Sequence, residues 1–77
     1  MTRQANKFDP LAVNLRQLRA ARGLKSGDVA QRLGIDAGTL SRLEHGRTRP
    51  SIENAQRLAD FYGVTLDHLL KTKKIEE

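Results

Sequence analysis

The chain has 77 residues, a length that predicts one small domain with a compact core and no room for a catalytic cleft of ordinary size. Fourteen Lys and Arg against nine Asp and Glu give a net charge of +5, which favours a polyanionic partner, although solubility alone would also account for it. There is no cysteine, no signal peptide and no run of about 18 apolar residues, which predicts a soluble cytoplasmic protein without disulfides or thiolate metal sites.

The first predicted elements are a basic, flexible arm over residues 1–8 and a helix after it. Asp9 and Pro10 predict the start of this helix, because an aspartate can cap free backbone N–H groups and the fixed φ of proline suits the first turn. The helix is expected to run to about Arg22 and to stop at Gly23. Its inward face carries leucines at spacing i, i+4, i+7, namely Leu11, Leu15 and Leu18.

Two short helices joined by a tight turn are predicted over 26–33 and 37–44. Asp36 is the expected cap of the second helix, and Gly34 is the expected end of the first, because glycine adopts a positive φ without a Cβ penalty. Ala30 supplies the small side chain that a close crossing of the two helices needs. The second helix would turn two leucines toward the core, Leu40 and Leu43. This spacing is typical of a helix-turn-helix that reads DNA.

A loop over 45–51 and two further helices complete the prediction. Ser51 is the expected cap of a fourth helix over 52–62, which ends at Gly63. The predicted buried stripe of that helix is Ile52, Ala55, Leu58, Ala59 and Tyr62. Thr65 is expected to cap a short fifth helix with the apolar residues Leu66, Leu69 and Leu70. No segment has the alternation typical of a strand, so the predicted fold class is all-α, a compact bundle of five helices.

Four motifs in order carry a resemblance to a known family. They are LRAARGL at 18–24, Ala30 with Gly34, TLSRLEHGRTRPS at 39–51 and FYGVTLDHLL at 61–70. Through residues 11–70 the sequence resembles the phage Cro and repressor family, often called the XRE type of helix-turn-helix. The resemblance implies a lambda-repressor-like DNA-binding domain, which we place at 9–71, with a charged tail at 72–77. In this family the third helix enters the major groove, and the protein usually acts as a dimer.

The exposed side of the third helix holds the expected base-reading residues, which are Ala37, Gly38, Ser41 and Arg42. The family tends to place polar amides at the positions of Ala37 and Gly38, and neither residue can replace their hydrogen bonds. Ala37 can still contact a thymine methyl, and Gly38 either lets the backbone approach DNA or simply weakens the helix. Arg42 is the strongest candidate for specificity, because arginine donates two parallel hydrogen bonds to guanine. A phosphate contact is the alternative for Arg42, and the shorter Ser41 could also bond either a base edge or a phosphate.

Phosphate contacts are expected from the start of the second helix, from the third helix and from the loop after it. The residues that the resemblance assigns to this role are Lys25, Ser26, Thr39, Arg47, Thr48 and Arg49. The alternative for Arg47 and Arg49 is a solvated loop, and Thr39 could reach a base edge instead. Lys25 stands where the family often has a capping hydroxyl, so Ser26 is an alternative cap of the second helix, a role that competes with phosphate binding.

Two structural roles follow from the same resemblance. Arg19 and Glu44 match positions that pair across the core, where a largely buried arginine and carboxylate are tolerated only if they satisfy each other. Apolar residues after the fourth helix outnumber what one short helix needs and form the candidate homodimer surface, although the core of a single chain could absorb most of them. These residues are Val64, Leu66, Leu69 and Leu70.

The resulting prediction is a transcriptional regulator that binds specific double-stranded DNA in the nucleoid, acting as a homodimeric repressor on an operator with two half-sites. The alternative is an antitoxin or other interaction module with an unidentified protein partner, whose DNA binding is autoregulatory. Enzymatic activity is not expected, because His45 and His68 have no nucleophile or paired carboxylate beside them and lack metal-ligand spacing. No cofactor, metal or membrane partner is predicted.

Overall fold

A computed structural model describes residues 9–70 and shows five α-helices, with no strand in that range. The helices are α1 (Pro10–Ala21), α2 (Ser26–Leu33), α3 (Ala37–Glu44), α4 (Ile52–Tyr62) and α5 (Leu66–Leu70). The predicted all-α class and the predicted helices are confirmed, and α1 ends one residue before the expected Arg22. The predicted basic arm at 1–8 and the charged tail at 72–77 lie outside the described residues.

The core forms where α1 packs against α3 and α5, while α2 packs against α3 and α4. Its largest fully buried side chains come from all five helices. They are Tyr62, Leu15, Leu40, Leu43, Leu58, Leu69, Glu44 and Val29. Leu18 and Leu24 are partly buried against this cluster. None of the helices within 9–70 is long and apolar enough to cross a membrane.

The turn between α2 and α3 has the geometry that its sequence requires. Gly34 adopts φ of 71°, and the N–H of Ile35 donates to the carbonyl of Ala30 at 3.0 Å, which closes the end of α2. Ala30 is almost fully buried, as expected of a small residue at a close crossing of two helices. A side chain at residue 34 would strain the backbone in this left-handed region.

Three of the predicted helix caps are present. The side chains of Asp36, Ser51 and Thr65 accept hydrogen bonds from the backbone N–H groups three residues later, at 3.2, 3.1 and 3.0 Å. Each bond satisfies one of the N–H groups that the first turn of a helix leaves without an intrahelical acceptor. The starts of α3, α4 and α5 are therefore fixed locally.

The other two expected caps are wrong. The Asp9 side chain makes no capping bond to α1, because its carboxylate instead lies 3.3 Å from a guanidinium nitrogen of Arg49. Ser26 is already the first helical residue of α2 and does not cap it, and Lys25 in the cap position offers no acceptor. The first turn of α2 is left without a side-chain cap.

Ile52 is also placed differently from the prediction. Its spacing from Ala55 and Tyr62 predicts a position on the buried stripe of α4, but the structure leaves 82% of the Ile52 surface exposed. The first turn of α4 extends past the packed core, and the neighbouring Ser51 and Glu53 are exposed as well. Helical periodicity gave the correct face but could not indicate where the core ends along that face.

The carboxyl ends of α2, α3, α4 and α5 share one feature: each receives a hydrogen bond from a side chain of a different element. The donor–carbonyl pairs are Arg57 with Leu33, Arg16 with Glu44 at 2.6 Å, Arg22 with Tyr62 at 2.7 Å, and Asn14 with Leu69 at 2.7 Å. The last carbonyls of a helix lack intrahelical donors and carry partial negative charge, so guanidinium and amide donors stabilise them. These bonds tie the helix ends to one another.

Glu44 is the charged group of the core, only 1% exposed. Its carboxylate accepts from Nε of Arg19 at 2.8 Å, and Nη1 of Arg19 also donates to the carbonyl of Leu24 at 2.9 Å. The guanidinium therefore neutralises the buried charge and binds the segment between α1 and α2 at the same time. This contact joins α1 to the end of α3.

We expect Glu44→Ala to lower the free energy of unfolding by about 3–5 kcal/mol, because the substitution breaks a buried ion pair and leaves a cavity. Urea titration followed by circular dichroism measures the loss. The exposed Glu53 of α4 is the matched control, and Glu53→Ala should cost at most about 1 kcal/mol. A Glu44→Ala protein with the parental unfolding curve would contradict the role given to this pair.

The hydroxyl of Tyr62 is buried and has no hydrogen-bond partner among residues 9–70. Burial raises the pKa of Tyr62 above 10.0, and the Glu44 carboxylate adds to this rise, while Arg19 and Arg22 oppose it. The folded protein therefore retains the phenolic proton at a pH where the unfolded chain has released it.

Stability should fall above about pH 10, because the unfolded state then binds fewer protons than the native state. Tyr62→Phe should remove the Tyr62 contribution to this alkaline loss and leave the free energy of unfolding at pH 7 equal or higher by about 1 kcal/mol. Chemical denaturation of both proteins between pH 7 and 11 tests this. Identical pH dependence in parent and variant would mean that Tyr62 does not contribute.

Candidate nucleic-acid interface

α3 has one side in the core and the other in solvent. Leu40, Leu43 and Glu44 are buried, which orients the helix. The predicted base-reading residues lie on the opposite side, where Ala37, Ser41 and Arg42 are exposed and Gly38 is half-buried. The outer face therefore presents small side chains and one guanidinium.

Arg42 lies close to the start of its own helix. Its Nη2 donates to the Oγ1 of Thr39 at 3.2 Å, and Thr39 N–H in turn donates to the carboxylate of Asp36. A Cβ atom on Gly38 would lie 2.9 Å from Oδ2 of Asp36 and 3.5 Å from Nη1 of Arg42. The carboxylate and the guanidinium thus flank the bare backbone of Gly38.

The loop after α3 continues directly from the end of that helix. The N–H of Arg47 donates to the carbonyl of Arg42 at 2.9 Å, and Nδ1 of His45 donates to the carbonyl of Ser41 at 2.8 Å. Arg47 is exposed, and Thr48 is half-buried. The side chain of Arg49 is 68% exposed despite its contact with Asp9, so solvent screens this ion pair and the guanidinium can exchange partners.

The start of α2 is the third part of the predicted interface. Lys25 is exposed, Ser26 is half-buried, and no side chain caps the first turn. Uncapped N–H groups at a helix start, together with the positive end of the helix dipole, favour a phosphate oxygen. Asp28 is exposed in the same turn and opposes an anion there.

The basic residues of 9–70 divide into two groups by location. Arg16, Arg19, Arg22 and Arg57 bind backbone carbonyls or Glu44 and hold the helices together. All the other Lys and Arg of this range are exposed and lie between residues 25 and 49, namely Lys25, Arg32, Arg42, Arg47 and Arg49. Among residues 9–70, the basic groups that hold neither a backbone carbonyl nor the buried Glu44 thus lie just before α2, on α2, on α3 and in the loop after α3. Among residues 9–70, no group of three or more His, Asp or Glu is arranged to hold a metal ion.

A model of a known family, described as a helix-turn-helix domain, matches residues 10–71. The chain belongs to the helix-turn-helix family. The resemblance inferred from the four sequence motifs is thereby confirmed, and α2 with α3 forms the helix-turn-helix of this chain. In this arrangement α3 is the helix whose outer face is free to meet a duplex.

Two curated relatives and one solved structure illustrate the similarity. The chain is 48% identical over 61 residues to the HTH-type transcriptional regulator DdrOP3 of Deinococcus deserti, with 79% of this chain and 47% of the relative covered. It is 36% identical over 56 residues to the cryptic phage CTXphi transcriptional repressor RstR of Vibrio cholerae, with 73% and 50% covered. The chain spans about half the length of these curated relatives.

The solved structure is the restriction-modification controller protein C.AhdI from Aeromonas hydrophila. Its TM-score with this chain is 0.73 at 27% sequence identity, and the match covers 80% of this chain and 94% of that one. The fold of this chain is therefore similar to that of this solved controller protein over most of both chains.

One of the four residues of the predicted dimer surface is buried in the core of the single chain. Leu69 is completely buried by its own chain and has no surface left for a second copy. Val64 and Leu66 are half-buried, and Leu70 is 43% exposed. The core of the single chain absorbs Leu69 because α5 packs against α1, where Asn14 binds its carbonyl.

The sequence interpretation predicted the Arg19–Glu44 pair but missed the four side-chain donors at the helix ends. A signal was present along α1 and at its C-cap, where Arg16, Arg19 and Arg22 follow one another at intervals of three. Such a row places guanidinium groups along one side of a helix, as a charged interface with neighbouring helices requires.

Proposed function

We propose that this chain is a transcriptional regulator that binds specific double-stranded DNA by inserting α3 into the major groove. The observation that carries the proposal is that the basic side chains which hold no backbone carbonyl or buried carboxylate all lie between residues 25 and 49, within the described part of the chain. They surround a helix whose outer face is small and exposed. Positive charge at this location attracts the phosphate backbone, and a helix of this diameter fits the major groove. Named relatives that are transcriptional regulators support the same function and offer no support for an enzyme.

Each part of the interface has a distinct role in this proposal. Arg42 reads guanine, and the methyl group of Ala37 contacts thymine. Lys25, Arg47 and Arg49 bind phosphates, which supplies affinity and register and not base preference. Ser26 and the free N–H groups of the α2 start bind a phosphate as well, since the helix has no side-chain cap that would occupy them.

The regulator acts as a homodimeric repressor in the cytoplasm. A monomer with one short recognition helix reads only a few base pairs, so specificity in a genome requires two half-sites about 34 Å apart. Leu70, with the half-buried Val64 and Leu66 beside it, supplies the apolar contact between two copies. The similarity to a relative named as a transcriptional repressor supports the direction of regulation.

Selection of bound duplexes from a random DNA pool at one moderate salt concentration tests the function. We expect a two-fold symmetric motif with half-sites about one helical turn apart. In a reporter gene whose promoter carries that motif, expression should be lower when the protein is present than when it is absent. Tight binding at low salt without any enriched motif would overturn the proposal in favour of a protein-interaction module, and copurification of a second small protein would identify its partner.

Arg42→Ala should remove about 1–3 kcal/mol of discrimination at one base pair of the selected motif, because the bidentate contact to guanine is lost. Arg47→Ala is the matched control: it should weaken binding to all duplexes equally and reduce the slope of log affinity against log salt by about one. Fluorescence anisotropy with motif variants at several salt concentrations measures both. Equal losses on all duplexes for Arg42→Ala would place this side chain on phosphate.

Leu70→Glu should raise the dissociation constant of the homodimer by about tenfold or more, because a charge replaces an apolar contact at the proposed interface. Ile52→Glu is the control, since it changes an equally apolar and more exposed residue at the far end of α4. Sedimentation equilibrium at tens of micromolar, with and without the selected DNA, measures the association. A parent protein that is monomeric under both conditions would overturn the dimer.

A further inference from the structure

We infer that Thr39 is a positioning residue for base recognition, which acts through Arg42 and not through a contact of its own with DNA. The inference rests on the proposed function, because it concerns how the same helix reads a base. Asp36 in the cap position and Thr39 and Arg42 on α3 follow one another at intervals of three, so their side chains lie in one row. Two hydrogen bonds of 3.2 Å each link them: Thr39 N–H donates to the Asp36 carboxylate, and Arg42 Nη2 donates to Thr39 Oγ1.

The bond to Thr39 limits the freedom of an otherwise mobile side chain. Arg42 is exposed, and a long exposed arginine samples many rotamers that cannot reach a base. Holding one Nη2 hydrogen uses a single donor of the five in the guanidinium and leaves the remaining donors for guanine O6 and N7. Part of the ordering that recognition requires is therefore already present before DNA binds.

Gly38 lies between the two charged ends of this row. A Cβ at this position would lie 2.9 Å from Oδ2 of Asp36, which is the end of a flexible side chain, so a small shift of the carboxylate would accommodate it. The guanidinium on the other side, at 3.5 Å, would be in ordinary contact with that Cβ. The cap that the Asp36 carboxylate forms fixes the backbone of Thr39, which carries the hydroxyl.

The position of Asp36 also favours a base over a phosphate as the target of Arg42. The Asp36 carboxylate lies across Gly38 from the guanidinium and repels an incoming phosphate, whereas the O6 and N7 acceptors of guanine carry no formal charge. The row of three side chains therefore directs Arg42 toward a base edge in the groove. Thr39, with its hydroxyl already accepting from Arg42, is assigned to positioning in place of the phosphate contact that the sequence suggested.

The test compares Thr39→Val, which keeps the shape of the side chain but removes the acceptor, with Thr39→Ser, which retains it. The probes are the selected duplex and its variants at the base pair whose preference Arg42→Ala abolishes. We expect Thr39→Val to reduce discrimination at that base pair about fivefold, the worth of one ordinary hydrogen bond, with low-salt binding to random DNA unchanged. Thr39→Ser should retain parental discrimination, and melting curves of both variants should match the parent.

Combining Thr39→Val with Arg42→Ala separates positioning from direct contact. The quantity compared is the affinity for the selected duplex: if Thr39 acts through Arg42, the valine lowers this affinity in the parent and leaves it unchanged in the Arg42→Ala protein. An equal loss of affinity in both proteins, or parental base discrimination by Thr39→Val, would overturn the inference while leaving the proposed function intact. The order parameter of the Arg42 Nε–H bond in DNA-free protein gives a second reading: it should fall in Thr39→Val, and an unchanged value would also overturn the inference. Failure of the parent to select any motif would instead count against the proposed function.

Discussion

The buried carboxylate of Glu44 is the group on which the geometry of α3 depends. A charge that is 1% exposed is tolerated only with a partner, and Arg19 supplies one from α1. Arg16 donates to the backbone carbonyl of Glu44, so α1 contacts both the side chain and the main chain of Glu44 in the last turn of α3. Leu40 and Leu43 press the inner face of α3 into the core, and together these contacts leave its other face toward solvent. The direction in which the exposed face of α3 points is thus determined by contacts on its buried side.

The sequence predicted those features that depend on near neighbours along the chain. Helix limits followed from capping side chains and from glycines at helix ends, as with Asp36 and Gly34, because such residues act within a few positions of themselves. The sequence could not predict features that depend on the extent of the core or on contacts between residues that are distant in sequence. Ile52 fits the apolar stripe of α4 but lies beyond its end, and Asp9 meets Arg49, which is distant in sequence. The proposed interface residues rest on family motifs, and the hydrogen-bond partners of Arg42 and Arg49 became visible only in the structure.

Arginine has two uses in this domain, and composition does not distinguish them. Four guanidinium groups are committed to carbonyls at helix ends or to Glu44, and each spans two elements that are distant in sequence. The forked, permanently charged group suits this use, since it donates in several directions and complements the negative end of the helix dipole. The basic residues left for a polyanion lie in the helix-turn-helix and its loop, so the location of charge is more informative here than its sum.

The contacts that hold α3 reach it from the core and at its carboxyl end, while Ala37 and Ser41 face outward and are exposed. Substitutions at these two positions therefore meet little resistance from the rest of the molecule, and surface changes of this kind usually alter stability by less than about 0.5 kcal/mol. Under the proposed function, a lineage can therefore change part of its target preference at these two positions without passing through unfolded intermediates. A library confined to residues 37 and 41, with Arg42 retained, would sample new operators on an unchanged fold.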